Sequence, residues 1–490
     1  MNEFKTTQIQ NLKSLFWLLL MFNFSLVNCQ IPNLEALVTK NDKCVLKIFT
    51  VDEYGELLGQ GSGVLIDSKG IAITNFHVLN GAFNAVAVTL DGEKYKIDKI
   101  LDYSMQNDLV KFKLENLSAK LFPKVTLNSA KLLKGSSVFS IGYPNGFVLL
   151  GESTVSQGIV SGFRKEEVRP GHGEVDSLIQ TTTQITHGNS GGGLFDSKGN
   201  LIGITQGTFA EMEDRHANLN KAIPVKYIKL LKRNLNYNFE EFITECAKTN
   251  LFAQGVLAYN NGDYVTSYDL LQAYQKVNEL NKLDPRVWYL KGNCAFHLGR
   301  KSNRSEILQM ALENYSEALI LDSMSVNARS YMALTFEQLG KMDYAFEVAN
   351  DGYNINPKNA FINYVLGKLY NSSKKRELAI KFFTQAINLF EEKDISYESL
   401  AQWYLERAIA YGWLNKNELE EQDYKRCLIL SGDKLSQPLL DGLFYYGNFL
   451  VENKRYSEAC IQFKRLKQFK SDYIMQGYSV DQMLKMYKCN

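Results

Sequence analysis

The property that most restricts this chain is a change of hydrophobic period partway along it. From about Cys44 to Gly207, short runs rich in Val, Ile, Thr and Phe are separated by glycine, aspartate and asparagine turns. They are Val45–Val51, Val64–Ile66, Ile71–Thr74, Ala85–Leu90, Leu109–Leu114, Val138–Ile141 and Leu201–Thr205. Strands so closely spaced predict an all-β barrel or sandwich. From about Thr249 onward, apolar residues recur at helical spacing. At 490 residues the chain is too long for one hydrophobic core, so two or more domains are expected.

Charge excludes some partners. The 55 basic and 53 acidic residues leave a net charge of only +2, too weak a field to draw in nucleic acid or anionic lipid. At the start, Lys5 and Lys13 precede the apolar stretch Leu15 to Val27, and Val27-Asn28-Cys29 ends it. The run is short for a membrane span and has the layout of a secretory signal peptide over residues 1–29. Cleavage is expected near Cys29–Gln30, which places the chain outside the cytoplasm: periplasmic, secreted or on an outer surface. The alternative is a lipoprotein acylated at Cys29, with Leu26 three residues ahead; Asn28 fits that site poorly. Membrane contact is expected only in that case.

Seven cysteines, Cys29, Cys44, Cys246, Cys294, Cys427, Cys460 and Cys489, are scattered without a Cys-x-x-Cys pair. Neither a zinc site nor a dense disulfide framework is indicated. Cys294, Cys427 and Cys460 fall on apolar helical faces and are expected as buried free thiols. Pairing cannot be deduced. His172, His187 and His216 lack ligand spacing, so no metal or cofactor is expected.

The phrase Asp-Ser-Lys-Gly occurs twice, at 67–70 and 196–199, each time between apolar runs. Both are expected as tight hairpins, an echo that suits two similar barrels in tandem. Farther on, Gly367, Tyr370, Ala379, Phe383 and Ala386 define a helix pair in which small residues allow close approach and the aromatic rings fill the gap. The phasing recurs at Gly255, Gly262, Tyr264 and Leu271; at Gly292, Ala311, Tyr315 and Ala318; and at Ala333, Gly340, Ala345, Ala349 and Pro357. It continues at Ala408, Tyr411, Tyr424 and Cys427, and at Gly447, Tyr456, Ala459 and Phe463. About six imperfect copies at roughly 34 residues resemble the tetratricopeptide (TPR) repeat family. That resemblance implies a superhelical solenoid over 249–490 whose concave face takes a protein partner. Between the halves, Tyr227, Ile228, Leu230 and Leu231 predict a short helix packed back on the β domain, and residues 233–248 a linker.

Three strings carry the chemistry: Thr74-Asn75-Phe76-His77-Val78, Gln106-Asn107-Asp108-Leu109-Val110 and His187-Gly188-Asn189-Ser190-Gly191-Gly192. A serine hydroxyl is a weak nucleophile until a base takes its proton, and the base needs a carboxylate to hold its tautomer. Glycines around the serine let backbone N–H groups converge on one spot. Gly188 to Gly192 also satisfies Gly-x-Ser-x-Gly, but a nucleophile elbow lies between strand and helix with its partners following it. Here Leu194 to Thr205 reads as strand, turn, strand, and His77 and Asp108 precede the serine.

Together with Gly61-Ser62-Gly63-Val64, Ile141-Gly142-Tyr143-Pro144 and Gly158-Ile159-Val160-Ser161, these strings resemble the HtrA/Deg branch of the trypsin-like serine proteases, over about Cys44 to Ile228. The resemblance implies a chymotrypsin-like double β-barrel spanning 40–232 and peptide-bond hydrolysis through an acyl-enzyme. It makes His77 the base, Asp108 its orienting acid and Ser190 the nucleophile. The oxyanion hole would be formed by backbone at Gly188, Asn189 and Ser190. Gln184, His187, Ile204, Thr205 and Gln206 would line the substrate pocket; none is a charged anchor for Lys or Arg, so an uncharged or small apolar side chain is expected. His187 and Gly193 stand where the family usually has proline, and helical repeats replace the family's PDZ domain. The expected whole is an exported serine endopeptidase whose repeats recruit a protein partner or substrate, with a catalytically inactive scaffold as the alternative. If the two halves are independent, residues before Thr249 should cleave a small peptide alone.

Overall fold

The computed structural model describes residues 33–51, 57–116, 119–144, 153–167, 174–185, 188–207, 220–277, 279–391, 398–432, 435–475 and 477–489. The expected signal peptide, Cys29, His172, His187 and His216 lie outside them. Helix α1 (Leu34–Asp42) leads into β1 (Val45–Val51), β2 (Leu57–Leu65), β3 (Ile71–Thr74), the one-turn helix α2 (Phe76–Leu79), β4 (Asn84–Val88), β5 (Lys94–Ser104) and β6 (Leu109–Leu114). These six strands close into a barrel in the order β1-β2-β3-β6-β5-β4. Then come β7 (Ser137–Gly142), β8 (Thr154–Glu167), β9 (Glu174–Thr181), β10 (Gly193–Asp196), β11 (Leu201–Gln206) and β12 (Asn220–Pro224), followed by the short helix α3 (Val225–Ile228). They close a second barrel in the order β7-β8-β9-β12-β11-β10, the same wiring as the first.

Closure leaves no free sheet edge, and one face of each strand fills the interior. Leu46, Ile48, Ala72, Ile100, Val110 and Phe112 share the inner face of the first barrel; Val138, Val160, Ile179, Leu194 and Ile202 pack in the second. The echoed phrase does form two hairpins, with Asp67 Oδ1 accepting from Lys69 N–H at 2.7 Å and Asp196 Oδ1 from Lys198 N–H at 2.9 Å. The hairpins are nevertheless not equivalent. One joins β2 to β3, whereas the other joins β10 to β11, the counterpart of β4–β5. The shared phrase reflects shared turn chemistry, not a shared place in the barrel.

Residues 233–248, expected as a linker, are tied to the first barrel. Tyr237 and Ile100 exchange backbone hydrogen bonds of 2.7 and 3.0 Å. Arg233 binds the buried Asp102 through its own N–H (2.7 Å) and Nε (2.6 Å). Helix α4 (Phe239–Ala247) sets Phe242 edge-on against Phe76, beside the candidate base, and against Tyr103.

The rest is helical: α5 (Leu251–Asn260), α6 (Tyr264–Val277), α7 (Pro285–Ser302), α8 (Ser305–Leu321), α9 (Val326–Gln338), α10 (Met342–Ile355), α11 (Ala360–Ser372) and α12 (Arg376–Glu391). It continues with α13 (Glu398–Gly412), α14 (Asn417–Ser431), α15 (Gln437–Glu452), α16 (Tyr456–Phe469), the two-residue strands β13 (Ile474–Met475) and β14 (Tyr478–Ser479), and α17 (Val480–Met486). From α5 to α16 the helices pack two by two, and each pair rests on the next in chain order. A Cβ at Gly292, Gly367 or Gly447 would stand within 2.5 Å of the ring of Tyr315, Phe383 or Phe463, so small residues set the helix spacing at equivalent places. Tyr370 does not fill the gap within its own pair alone; it stacks on Phe382 there and also meets Phe346 of the preceding pair at a tilt.

One cysteine expectation is corrected. Cys460 is not a free thiol but is bonded to Cys489, 29 residues on, while Cys44, Cys246, Cys294 and Cys427 are free and buried. Burial pushes the Cys44 thiol up to about 11 and holds Cys246 and Cys427 above the ordinary thiol range. Closing a loop of this length restricts the open chain by about 3–4 kcal/mol. Replacing both Cys460 and Cys489 by serine is therefore expected to lower amide-exchange protection in α17 by about a hundredfold or more, with the barrels unaffected.

Candidate active site

The candidate catalytic groups come from both barrels and meet between them. β3 ends at Thr74, and Asn75 starts the turn of α2 that carries His77. Asp108 lies just ahead of β6 with φ of 48°, a left-handed conformation that aspartate tolerates better than most residues. Its carbonyl accepts Phe76 N–H at 3.0 Å and Asn75 Nδ2 at 3.0 Å, which fixes the two loops against each other. Its fully buried carboxylate uses both oxygens on one residue: Oδ1 accepts the backbone N–H of His77 at 2.9 Å and Oδ2 meets Nδ1 at 2.8 Å. An ionised carboxylate only accepts, so Nδ1 carries the proton and Nε2 is left as the basic nitrogen. From the second barrel, Gln206 Nε2 adds a longer contact of 3.4 Å to Oδ2.

Ser190 lies in the turn before β10, 6% exposed. Its Oγ accepts the N–H of Gly207 at 3.0 Å. The turn is fastened from both sides. Ser62 of β2 donates its N–H to Ser190 O (2.7 Å) and its hydroxyl to Gly188 O (2.9 Å), while that hydroxyl accepts Tyr143 N–H at 2.9 Å. Thr205 of β11 donates its hydroxyl to Asn189 O at 2.6 Å and accepts Gly191 N–H on its carbonyl at 2.9 Å. Backbone groups at Gly188, Asn189 and Ser190 are thus held by side chains of both barrels.

The structure gathers His77, Asp108, Gln206, Ser190, Gly188 and Asn189 at this junction. Other expected pocket residues are placed differently. Ile204 is fully buried in the core, Thr205 is buried and engaged with the serine turn, and Gln184 is exposed, with its N–H on Ser156 Oγ. His187 lies outside the described residues. Among the described residues, no group of three or more His, Cys, Asp or Glu could hold a metal ion. Sequence reasoning missed the supporting roles of Ser62 and Thr205. The usable signal was a serine between two glycines within a strand.

Residues 61–204 match the family model of the trypsin-like peptidase domain. This part of the chain is similar to the trypsin-like peptidase family. It is 35% identical over 189 residues to Protease Do-like 5, chloroplastic, of Arabidopsis thaliana, covering 36% of this chain and 57% of that protein. It is 38% identical over 147 residues to a probable periplasmic serine protease do/HhoA-like of Haemophilus influenzae, covering 30% of each. Among solved structures, the crystal structure of Deg5 aligns at 29% identity and a TM-score of 0.33, over 40% of this chain and 89% of that one. The chain thus spans 57% of one of these curated relatives and 30% of the other.

Within the matched segment, Gly191 has φ of +88°, and a Cβ there would stand 2.0 Å from Ser62 O and 2.3 Å from Thr74 Oγ1. Neither neighbour can retreat, since Thr74 Oγ1 already donates to that carbonyl at 2.7 Å. Gly191→Ala is expected to destabilise the domain by about 3 kcal/mol and to displace the serine turn. Thermal unfolding and reactivity of Ser190 with a phosphonylating probe would read the two effects separately.

Proposed function

We propose that the chain is an exported serine endopeptidase in which His77, Asp108 and Ser190 form a catalytic triad. The observation that carries this is the double engagement of Asp108 with His77, by backbone N–H and by Nδ1, at the junction that also holds Ser190. His77 Nε2 takes the Ser190 proton as Oγ attacks the scissile carbonyl, then returns it to the leaving amine; water repeats the cycle to release the acyl group. Backbone N–H groups at Gly188 and Ser190, with the Asn189 peptide between them, stabilise the tetrahedral oxyanion.

Export is supported by the layout of residues 1–29 and by a relative whose name places it in the periplasm. The domain scheme is a protease domain over 40–232, a tied connector over 233–248 and TPR-like repeats over 249–490 that recruit a protein partner or substrate. It is supported by the two-by-two packing from α5 onward and by the recurrent small-residue contacts.

A second reading is a scaffold built on an idle site; the bond from Gly207 N–H to the nucleophile favours it. Labelling of the full chain by a fluorophosphonate, with Ser190→Ala and His77→Ala alongside, separates the two. Labelling lost in both variants supports the protease. An unlabelled, folded wild type would leave the scaffold standing.

A further inference from the structure

The two halves meet at the catalytic turn itself. Arg286, in the first turn of α7, is 15% exposed in its side chain, and its partner Asp284, the cap of that helix, 8%. Their pairing is two-pronged: Arg286 Nε donates to Asp284 Oδ1 at 3.0 Å and Nη2 to Oδ2 at 2.7 Å. The remaining prong crosses to the first barrel, where Nη1 donates to His77 O at 3.2 Å and to Asn80 O at 3.0 Å. The guanidinium also sits 5.1 Å over the ring of Phe252, which packs on Gly81 just beyond α2. Helix α2 is a single turn, so its carbonyls have no further turn to bond. A cation there satisfies them and suits the negative end of the helix. The main chain of His77 is consequently held on both sides, its N–H by Asp108 and its C=O by Arg286.

We infer that Arg286 is a positioning residue for the catalytic base, so that the helical half is part of the frame that sets His77 and not a detachable tether. This rests on the reading of His77 as general base. Asp108 fixes the rotation of the ring, whereas Arg286 fixes where the turn that carries the ring stands. A misplacement of about 1 Å in such a group costs about a hundredfold in rate without altering substrate binding. Lysine is no equivalent, because a point charge on a flexible stem cannot hold Asp284 with two prongs and both carbonyls with a third.

The test compares Arg286→Met, which keeps the stem on Phe252 and removes the donors, with Arg286→Lys and with Arg407→Met, all in the full chain. Arg407 pairs with Asp423 at 2.7 and 2.9 Å and is equally buried, but within α13 and α14. It therefore controls for loss of a buried ion pair as such. Rates are taken per active site, counted by fluorophosphonate, so that a smaller folded fraction does not imitate a slower site. Arg286→Met is expected to lower kcat about 30- to 100-fold with KM within twofold, Arg286→Lys to fall between it and wild type, and Arg407→Met to keep kcat within twofold. Wild-type kcat in either Arg286 variant overturns the inference, as does an equal loss in Arg407→Met. If Arg286→Met does not fold, Arg286→Lys decides by the same criterion. If wild type is not labelled at all, the protease reading fails by itself, and the Nδ1 proton resonance of His77 judges the positioning role. That resonance is expected to move in the Arg286 variants and not in Arg407→Met; no movement overturns the inference.

Discussion

Ser190→Ala is expected to lower peptide turnover about a million-fold while leaving the fold intact. The hydroxyl is the only atom removed, and it accepts one hydrogen bond, from Gly207 N–H. Loss of that bond costs about 1 kcal/mol, since its donor can turn to water. Every other tie of the turn, through Ser62 and Thr205, is to backbone that alanine keeps. The chemistry loses its nucleophile altogether, and His77 is left to activate a water that nothing positions. Adding His77→Ala to Ser190→Ala should lower the rate little further, because the two act as one unit. Steady-state cleavage of a short peptide beside a melting curve is the measurement; a residual rate within a hundredfold of wild type would refute Ser190 as nucleophile.

Asp108→Asn should cost about ten-thousand-fold, with nearly unchanged geometry. The reason is which atoms the carboxylate serves. One oxygen accepts the backbone N–H of His77, so an asparagine must turn its carbonyl oxygen there to avoid facing donor with donor. Its amide nitrogen then faces Nδ1, which must accept. The imidazole proton moves to Nε2, the atom required to take the proton of Ser190. The variant would fold and bind peptide with a base in the wrong tautomer. Comparing kcat, KM and the histidine nitrogen resonances in the two proteins would show it; an unchanged kcat would remove Asp108 from the mechanism.

Strands whose inner and outer faces differ plainly are legible in the chain. Val45–Val51, Ile71–Thr74 and Leu109–Leu114 coincide with observed elements, because each is a compact apolar run between turn residues. Lys94–Ser104 and Thr154–Glu167 are not legible, since Lys94, Lys96, Asp98, Gln157 and Lys165 face outward and mask the period over their length. The start of β2 is hidden by Gly59, Gly61 and Gly63, which imitate a turn. Candidate site residues stand out because each sits in its own short string. Their supports do not: Ser62 reaches Gly188 across 126 residues, and Arg286 reaches His77 across 209. Asp284-Pro285-Arg286 looks like any helix start, and only the tertiary fold shows where its third prong goes. Cys460 is misread for a similar reason, its partner lying past the last helix on another face.

The division of the site between the barrels bears on when activity can begin. A chain leaving its ribosome or a secretion pore emerges amino end first, and its domains fold in that order. His77 and Asp108 belong to the first barrel, but the turn holding Ser190 is shaped by Ser62 from that barrel and Thr205 from the next. On the proposed reading, a half-made chain has the pair His77 and Asp108 but lacks both the serine turn and the Arg286 that steadies the base. If the site is catalytic as proposed, the assembly order acts as a timer, keeping the nascent molecule from cutting itself or its neighbours until both barrels have closed and α7 has docked on the first.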